Sequence, residues 1–117
     1  RVGIVTVSAQ SLTPAHLEGA GVPLDAPIAG TENGREFFRV LIKGEKQDLD
    51  VDLARQDIID AGKGLVARHR DIGAIVLECT NMPPYAAALQ EAIGLPVYDI
   101  YSMITWFHAG IRPRTFG

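Results

Sequence analysis

Residues 72–98 have the sequence IGAIVLECTNMPPYAAALQEAIGLPVY, the pattern of a strand, a turn, a helix and a second strand. Ile72–Leu77 is apolar almost throughout, as in a strand that is buried on both faces of a sheet. The Pro83-Pro84 pair begins the helix and Gly94 ends it. Pro96–Tyr98 then forms a short strand. A strand, a helix and a strand in this order predict a parallel crossover unit.

The residues on either side repeat this alternation. Val2–Val7 is a β-branched run that predicts a strand, and a short strand is expected around Ile28. Between Val51 and Leu65, apolar residues recur at spacings of three and four, which predicts an amphipathic helix. Three further helices are predicted over residues 13–19, 36–42 and 100–109, the last of them ended by Gly110. The sequence therefore predicts an α/β fold with three layers: a short, mostly parallel sheet of three or four strands with helices on both faces.

Composition excludes several classes of protein. The 117 residues are 47% hydrophobic and 21% charged, as in one ordinary globular domain, so neither a disordered chain nor a membrane span is expected. Eleven Lys and Arg against 14 Asp and Glu give a net charge of −3, which argues against a nucleic-acid partner. One cysteine and no visible signal peptide favour the reducing cytoplasm.

No motif for a bound cofactor or metal is present. The sequence contains no glycine-rich phosphate-binding loop, so a nucleotide cofactor is not expected. Its three histidines share no spacing that is typical of metal ligands. We expect a protein that works without a cofactor and without a metal.

The chain enters an apolar, strand-like run at Val2, directly after Arg1. Protein termini usually carry a few loose residues before the first core strand. We therefore expect residues 1–117 to be a single α/β domain that forms one lobe of a longer, two-lobed protein.

Ligands of parallel sheets bind at the carboxyl ends of the strands. Two polar loops are expected there, Ser8–Ser11 after the first strand and Glu78–Asn81 after Ile72–Leu77. Cys79 is the most informative residue, because the start of the next helix favours an anion such as a thiolate. The alternative is a buried cysteine that acts as a small hydrophobic residue. Thr6 and Ser8, at the end of the first strand, are candidates to hold a carboxylate.

The sequence IVLECTNMP at residues 75–83 resembles the second cysteine motif of the aspartate/glutamate/hydantoin racemase superfamily, in which a strand leads into a Cys-Thr pair and then a proline-started helix. Gly94–Asp99 also resembles the next segment in that family. The resemblance implies a cofactor-independent amino-acid racemase. Cys79 would be the catalytic thiol, which transfers a proton at the carbon α to a carboxylate, and the substrate carboxylate would be held by Thr80, Asn81, Ser8 and Thr6.

Members of that family have two lobes, and each lobe lends one cysteine, whereas this chain has one. Three explanations remain open. The chain is the second lobe of a longer racemase; it comes from a single-cysteine decarboxylase or isomerase relative, similar to arylmalonate decarboxylases; or it is a non-catalytic domain for binding a small acid or for assembly. A homo-oligomer in which two copies face each other would also supply two thiols.

Six smaller predictions concern residues near this edge, in the core and in the final helix. Strand alternation points Glu78 away from the side of Cys79, which favours a supporting role. Either Thr80 or Asn81 is expected to cap the Pro83 helix or to bind a carboxylate, and Asp99 is expected to cap the final helix. Tyr98 and Tyr101 are predicted to pack. Met82 and the Phe37-Phe38 pair are predicted to lie in the core, and His108 to be a packed or surface residue.

Overall fold

Four parallel strands form one sheet at the centre of the computed structural model, which describes residues 1–117. The strands are β1 (Val2–Thr6), β2 (Ile28–Gly30), β3 (Ala74–Leu77) and β4 (Val97–Tyr98). Their order across the sheet is β2-β1-β3-β4, and Val5 of β1 lies opposite both Ala29 and Leu77. Because β1 and β3 are central, the loops after these two strands meet at the middle of the carboxyl edge.

Five α-helices surround this sheet: α1 (Pro14–Gly19), α2 (Phe37–Leu41), α3 (Val51–Arg68), α4 (Ala86–Ile93) and α5 (Ile100–Ile111). Short 3-10 turns span Ala9–Ser11 and Pro83–Tyr85. The α/β fold and its parallel sheet are as the sequence predicts.

The main core lies between one face of the sheet and helices α3 and α4. Val5 and Ile75 from the strands are fully buried there against Ile58, Leu65 and Leu89 from the two helices. The opposite face carries Ile4, Thr6 and Val76, and it is flanked by α1 on one side and by the first turns of α5 on the other. The two faces are therefore covered to different extents.

Three details differ from the sequence predictions. Helix α5 continues through Gly110 to Ile111, because one glycine costs a helix only about 1 kcal/mol and the Arg112 N–H still donates to the His108 carbonyl. Tyr98 and Tyr101 are 57% and 67% exposed, so the prediction that they pack is wrong; each lines an open cavity, Tyr98 beside α5 and Tyr101 beside α4. Met82 and Phe37 are fully buried as predicted, whereas Phe38 is only half-buried.

The start of α2 is held by a carboxylate from α3. Asp57, which is buried, accepts hydrogen bonds from the backbone N–H groups of Arg35, Glu36 and Phe37 at 2.9, 2.7 and 2.9 Å. The backbone approaches so closely that a Cβ at Gly34 would lie 2.5 Å from the Asp57 Cγ. Asp57 therefore fixes the loop that links β2 to α2.

A second carboxylate fixes the segment between α2 and α3. The Glu36 side chain is almost fully buried, and its Oε2 accepts hydrogen bonds from Lys46 Nζ at 2.9 Å and from the Asp50 N–H at 2.6 Å. Two contacts hold the pKa of the Glu36 carboxyl below its ordinary value. The Lys46 ammonium has the larger effect and the Asp50 N–H has the smaller one.

This pair predicts a pH-dependent contribution to stability. Folding lowers the pKa of the Glu36 carboxyl. The stabilisation from this carboxylate is therefore fully present above its pKa in the unfolded chain, about 4.3, and is lost as the pH falls through its lower pKa in the folded protein. Urea unfolding should show Glu36→Gln to be less stable than the wild type at pH 7, with the gap closing in strong acid. The control is Glu45→Gln, which removes an exposed carboxylate nearby. A gap of the same size at both pH values would contradict the prediction.

Candidate functional site

The loops after β1 and β3 meet at the carboxyl edge of the sheet. The Glu78 N–H donates to the Val5 carbonyl at 2.9 Å, which extends the β1–β3 pairing by one residue. Beside this point lies a cavity of about 470 Å³, whose polar lining includes Thr6, Ser8, His16 and Glu78. The chain therefore forms a pocket where a parallel sheet is expected to bind its ligand.

A hydrogen bond between two strands positions the Glu78 carboxylate. Thr6, which is only 2% exposed, donates from its Oγ1 to Glu78 Oε2 at 2.8 Å. Glu78 itself is exposed and forms no ion pair with a Lys or Arg side chain. It faces the α1 and α5 side of the sheet, as strand alternation predicts, and its neighbour Cys79 packs on the other side.

Cys79 is half-buried and packs against the core beneath α4. Its carbonyl accepts a hydrogen bond from the Met82 N–H at 3.1 Å, which closes a tight turn directly before the Pro83–Tyr85 segment. Thr80 and Asn81 lie at the tip of this turn and are exposed. Neither side chain caps the Pro83–Tyr85 segment, since Met82 occupies the cap position without a side-chain bond. Of their two predicted roles, capping is wrong and carboxylate binding stays a prediction.

The loop after β1 is fixed mainly by its own contacts. Ser8 is 7% exposed, and its Oγ accepts a hydrogen bond from Ser11 Oγ at 3.1 Å. The Ala9 N–H donates to Glu32 Oε2 at 2.8 Å. Thr6 and Ser8 thus line the first cavity, and Cys79, Thr80 and Asn81 sit on the adjacent turn outside it. All five residues therefore lie at the same edge of the sheet, but only Thr6 and Ser8 line the first cavity.

A second cavity, of about 750 Å³, lies on the other side of Glu78 at the ends of β3 and β4. Its walls come from the strands, including Val76 and Tyr98, and from the first turns of α5, including Met103 and Trp106. Asp99 also borders it and caps α5, as the sequence predicts, by accepting from the Ser102 N–H at 2.8 Å. Glu78 is therefore the carboxylate that the two cavities share.

Three contacts at this edge escape sequence analysis: Thr6 with Glu78, Ala9 with Glu32, and Asp57 with the start of α2. A polar residue directly after a strand is the only signal that marks Glu78, and no local signal marks the other two. Among the helices, none combines the length and the apolar character that crossing a membrane requires.

The chain is similar to proteins named dimethylsulfoniopropionate lyases. One from Durusdinium sp. clade D is 32% identical over 97% of this chain and 40% of its own length. Lyase 5 from Emiliania huxleyi is 31% identical over 91% of this chain and 22% of its own length, and lyase 6 is 35% identical over 84% and 27%. The chain thus spans less than half the length of these relatives.

A solved structure has the same fold. Allantoin racemase from Pseudomonas fluorescens superposes with a TM-score of 0.61 at 17% sequence identity, over 95% of this chain and 45% of its own. The family model for Asp/Glu/Hydantoin racemases matches residues 1–107. Since that match covers most of the chain, including the cysteine turn after β3, the chain belongs to the Asp/Glu/Hydantoin racemase family.

Proposed function

We propose that this chain forms part of a cofactor-independent lyase in which the Cys79 thiolate removes a proton from the carbon α to a carboxylate. The proposed substrate is a propionate with a sulfonium group on its β carbon. The observation that carries the proposal is the similarity to dimethylsulfoniopropionate lyases over nearly the whole chain, cysteine turn included. The position of Cys79 at the carboxyl edge of the sheet supports it.

The chemistry of such an elimination is balanced without a metal or an organic cofactor. The thiolate takes the α proton, and the electron pair of the C–H bond forms the double bond between the α and β carbons. The bond from the β carbon to sulfur breaks, and its electron pair leaves with the sulfur. From dimethylsulfoniopropionate the products are acrylate and dimethyl sulfide, and the thiol then releases its proton to water.

One thiol is enough for this reaction. A racemase needs groups on both faces of the α carbon, one to remove the proton and one to return it, whereas an elimination needs a base on one face only. Racemisation and elimination share the first step, so a common thiol suits both kinds of family member. The one cysteine of these 117 residues can therefore act as the base of an elimination without a second thiol on the opposite face of the α carbon.

Two hydrogen-bond donors that could bind the substrate carboxylate lie on the cysteine turn itself. Thr80 and Asn81 present an exposed hydroxyl and an exposed amide at the tip of the cysteine turn. Thr6 and Ser8 are nearly buried, and the Thr6 hydroxyl donates to Glu78. We propose that Thr80 and Asn81 bind the carboxylate directly, and that Thr6 and Ser8 shape the adjacent pocket.

A product assay tests this function. The protein, in the length that its gene encodes, is incubated with dimethylsulfoniopropionate; headspace gas chromatography measures dimethyl sulfide, and proton NMR measures acrylate. We expect both products in equal amounts, formed equally fast after treatment with a metal chelator. The absence of both products, with substrate binding intact, would contradict the proposal and favour a domain that only binds a small acid.

A further inference from the structure

The second cavity combines aromatic walls with a carboxylate that has no cationic partner in the chain. Trp106 and Tyr98 are 75% and 57% exposed, and both border the cavity together with Met103 and Val76. Glu78 lies at its rim. No Lys, Arg or His lines the cavity, so its only formal charges are negative.

The two carboxylates of the cavity differ in their remaining capacity to bind. Asp99 accepts from both the N–H and the Oγ of Ser102, at 2.8 and 3.4 Å, and is committed to capping α5. Glu78 accepts one hydrogen bond, from Thr6 to its Oε2, and a carboxylate has about four acceptor positions. Glu78 is therefore the group that offers negative charge to a ligand.

A methylated cation matches these walls. A sulfonium or quaternary ammonium group carries positive charge on an apolar surface and has no N–H to donate. Such cations bind against the faces of Trp and Tyr, where the ring quadrupole attracts them, and a nearby carboxylate adds a Coulomb term. An ammonium group with three N–H donors would need several acceptors at once, whereas most residues that line this cavity are apolar or aromatic.

We propose that the cavity between β4 and α5 binds a methylated onium group, with Tyr98 and Trp106 against its methyl groups and Glu78 opposite its charge. The proposal rests on the proposed function, since it assigns a position to the cationic end of the same substrate. Glu78 and Cys79 are adjacent, with Cα atoms about 3.8 Å apart. Because their side chains leave the sheet on opposite faces, a ligand with its cation beside Glu78 must extend across the carboxyl end of β3 for its α carbon to approach Cys79.

The test is a titration with small onium ions, monitored by the fluorescence of Trp106, the one tryptophan of these 117 residues. Trimethylsulfonium and tetramethylammonium represent the two sources of such a cation, and tert-butanol is the neutral analogue of similar size. At constant ionic strength we expect a saturable change with both cations and none with tert-butanol. The change should be absent in Trp106→Phe.

Variants identify the groups responsible. Glu78→Gln should weaken binding of the cations about tenfold, because it removes the one negative charge at the cavity that is not already used to cap a helix. Tyr98→Leu should weaken it about fivefold. Glu18→Gln, the same change on an exposed residue of α1 outside both cavities, should leave the dissociation constant unchanged. An equal response to tert-butanol, or unchanged affinity in Glu78→Gln, would overturn the proposal.

This test is independent of the reaction. Binding of trimethylsulfonium does not require the thiol, so Cys79→Ser should bind it like the wild type. Onium binding without release of dimethyl sulfide would refute the proposed function and leave the onium site standing. Release of dimethyl sulfide with an unchanged KM in Glu78→Gln would refute the onium site alone.

Discussion

Replacing Asp57 with alanine is expected to lower the free energy of unfolding by about 3 kcal/mol, because it removes the acceptor of three backbone N–H groups at the start of α2. Two of these bonds are buried, so water cannot replace the carboxylate without opening the loop between β2 and α2. Urea unfolding followed by circular dichroism measures the difference.

Asp60 provides the matched control for this change. It lies one turn further along α3, is exposed, and accepts one hydrogen bond from the Gln56 side chain at 2.7 Å. Asp60→Ala should change the free energy of unfolding by less than about 0.5 kcal/mol. If Asp57→Ala does not fold, Asp57→Asn keeps one acceptor oxygen and should show an intermediate loss. Equal stabilities of Asp57→Ala and Asp60→Ala would show that Asp57 does not hold the loop.

The largest expected effect on function comes from Cys79→Ser. We expect the release of dimethyl sulfide to fall by at least about 10³-fold, because a serine hydroxyl is far less acidic than a thiol and provides almost no anionic base at neutral pH. The fold should survive, since Cys79 is only half-buried and the turn is closed by backbone atoms. Initial rates at saturating substrate measure the effect, and thermal unfolding confirms that the variant is folded.

Alkylation probes the same residue independently. Iodoacetamide should inactivate the wild type in proportion to the alkylation of Cys79, which peptide mass spectrometry measures separately from any other cysteine of the protein. Substrate present during the treatment should slow inactivation. A serine variant that keeps more than a tenth of the wild-type rate would remove Cys79 from the mechanism.

Local features of the sequence predict the strands of this fold and several of its helix ends well. The run before Cys79 forms β3, and α4 ends at Gly94, which has a φ of +70° that glycine adopts without strain. Asp99 caps α5 by a bond to a residue three positions away. Each of these features depends on neighbours in the chain, so the residue pattern is sufficient to predict it.

Contacts between distant residues could not be predicted in this way. Thr6 and Glu78 are 72 positions apart, and their hydrogen bond depends on β1 and β3 being adjacent and in register. Asp57 belongs to a helix whose apolar spacing is evident, but its buried position depends on where the β2–α2 loop crosses that helix. Such contacts result from the topology of the sheet, which the spacing of apolar residues does not specify.

Exposure at the carboxyl edge was equally hard to predict. Tyr98 has the aromatic character of a core strand residue, yet it is exposed because it lies on the less covered face of the sheet. Trp106 is also exposed, on α5, where it lines the second cavity. Which face of a short strand is covered depends on the paths of helices elsewhere in the chain. Together, Tyr98 and Trp106 form the aromatic walls of the second cavity.

If Cys79 transfers the proton at the α carbon, the wild type exchanges that proton with solvent deuterium, and the exchange depends on the thiol. The substrate is 3-(trimethylammonio)propionate in D₂O, because trimethylamine leaves less readily than dimethyl sulfide and proton transfer is then visible without elimination. In the wild type, we predict that the α-methylene signal in the proton NMR spectrum disappears while the β-methylene signal remains. In Cys79→Ser both signals should persist. Exchange at equal rates in the two proteins, or no exchange in the wild type, would contradict the proposed role of Cys79.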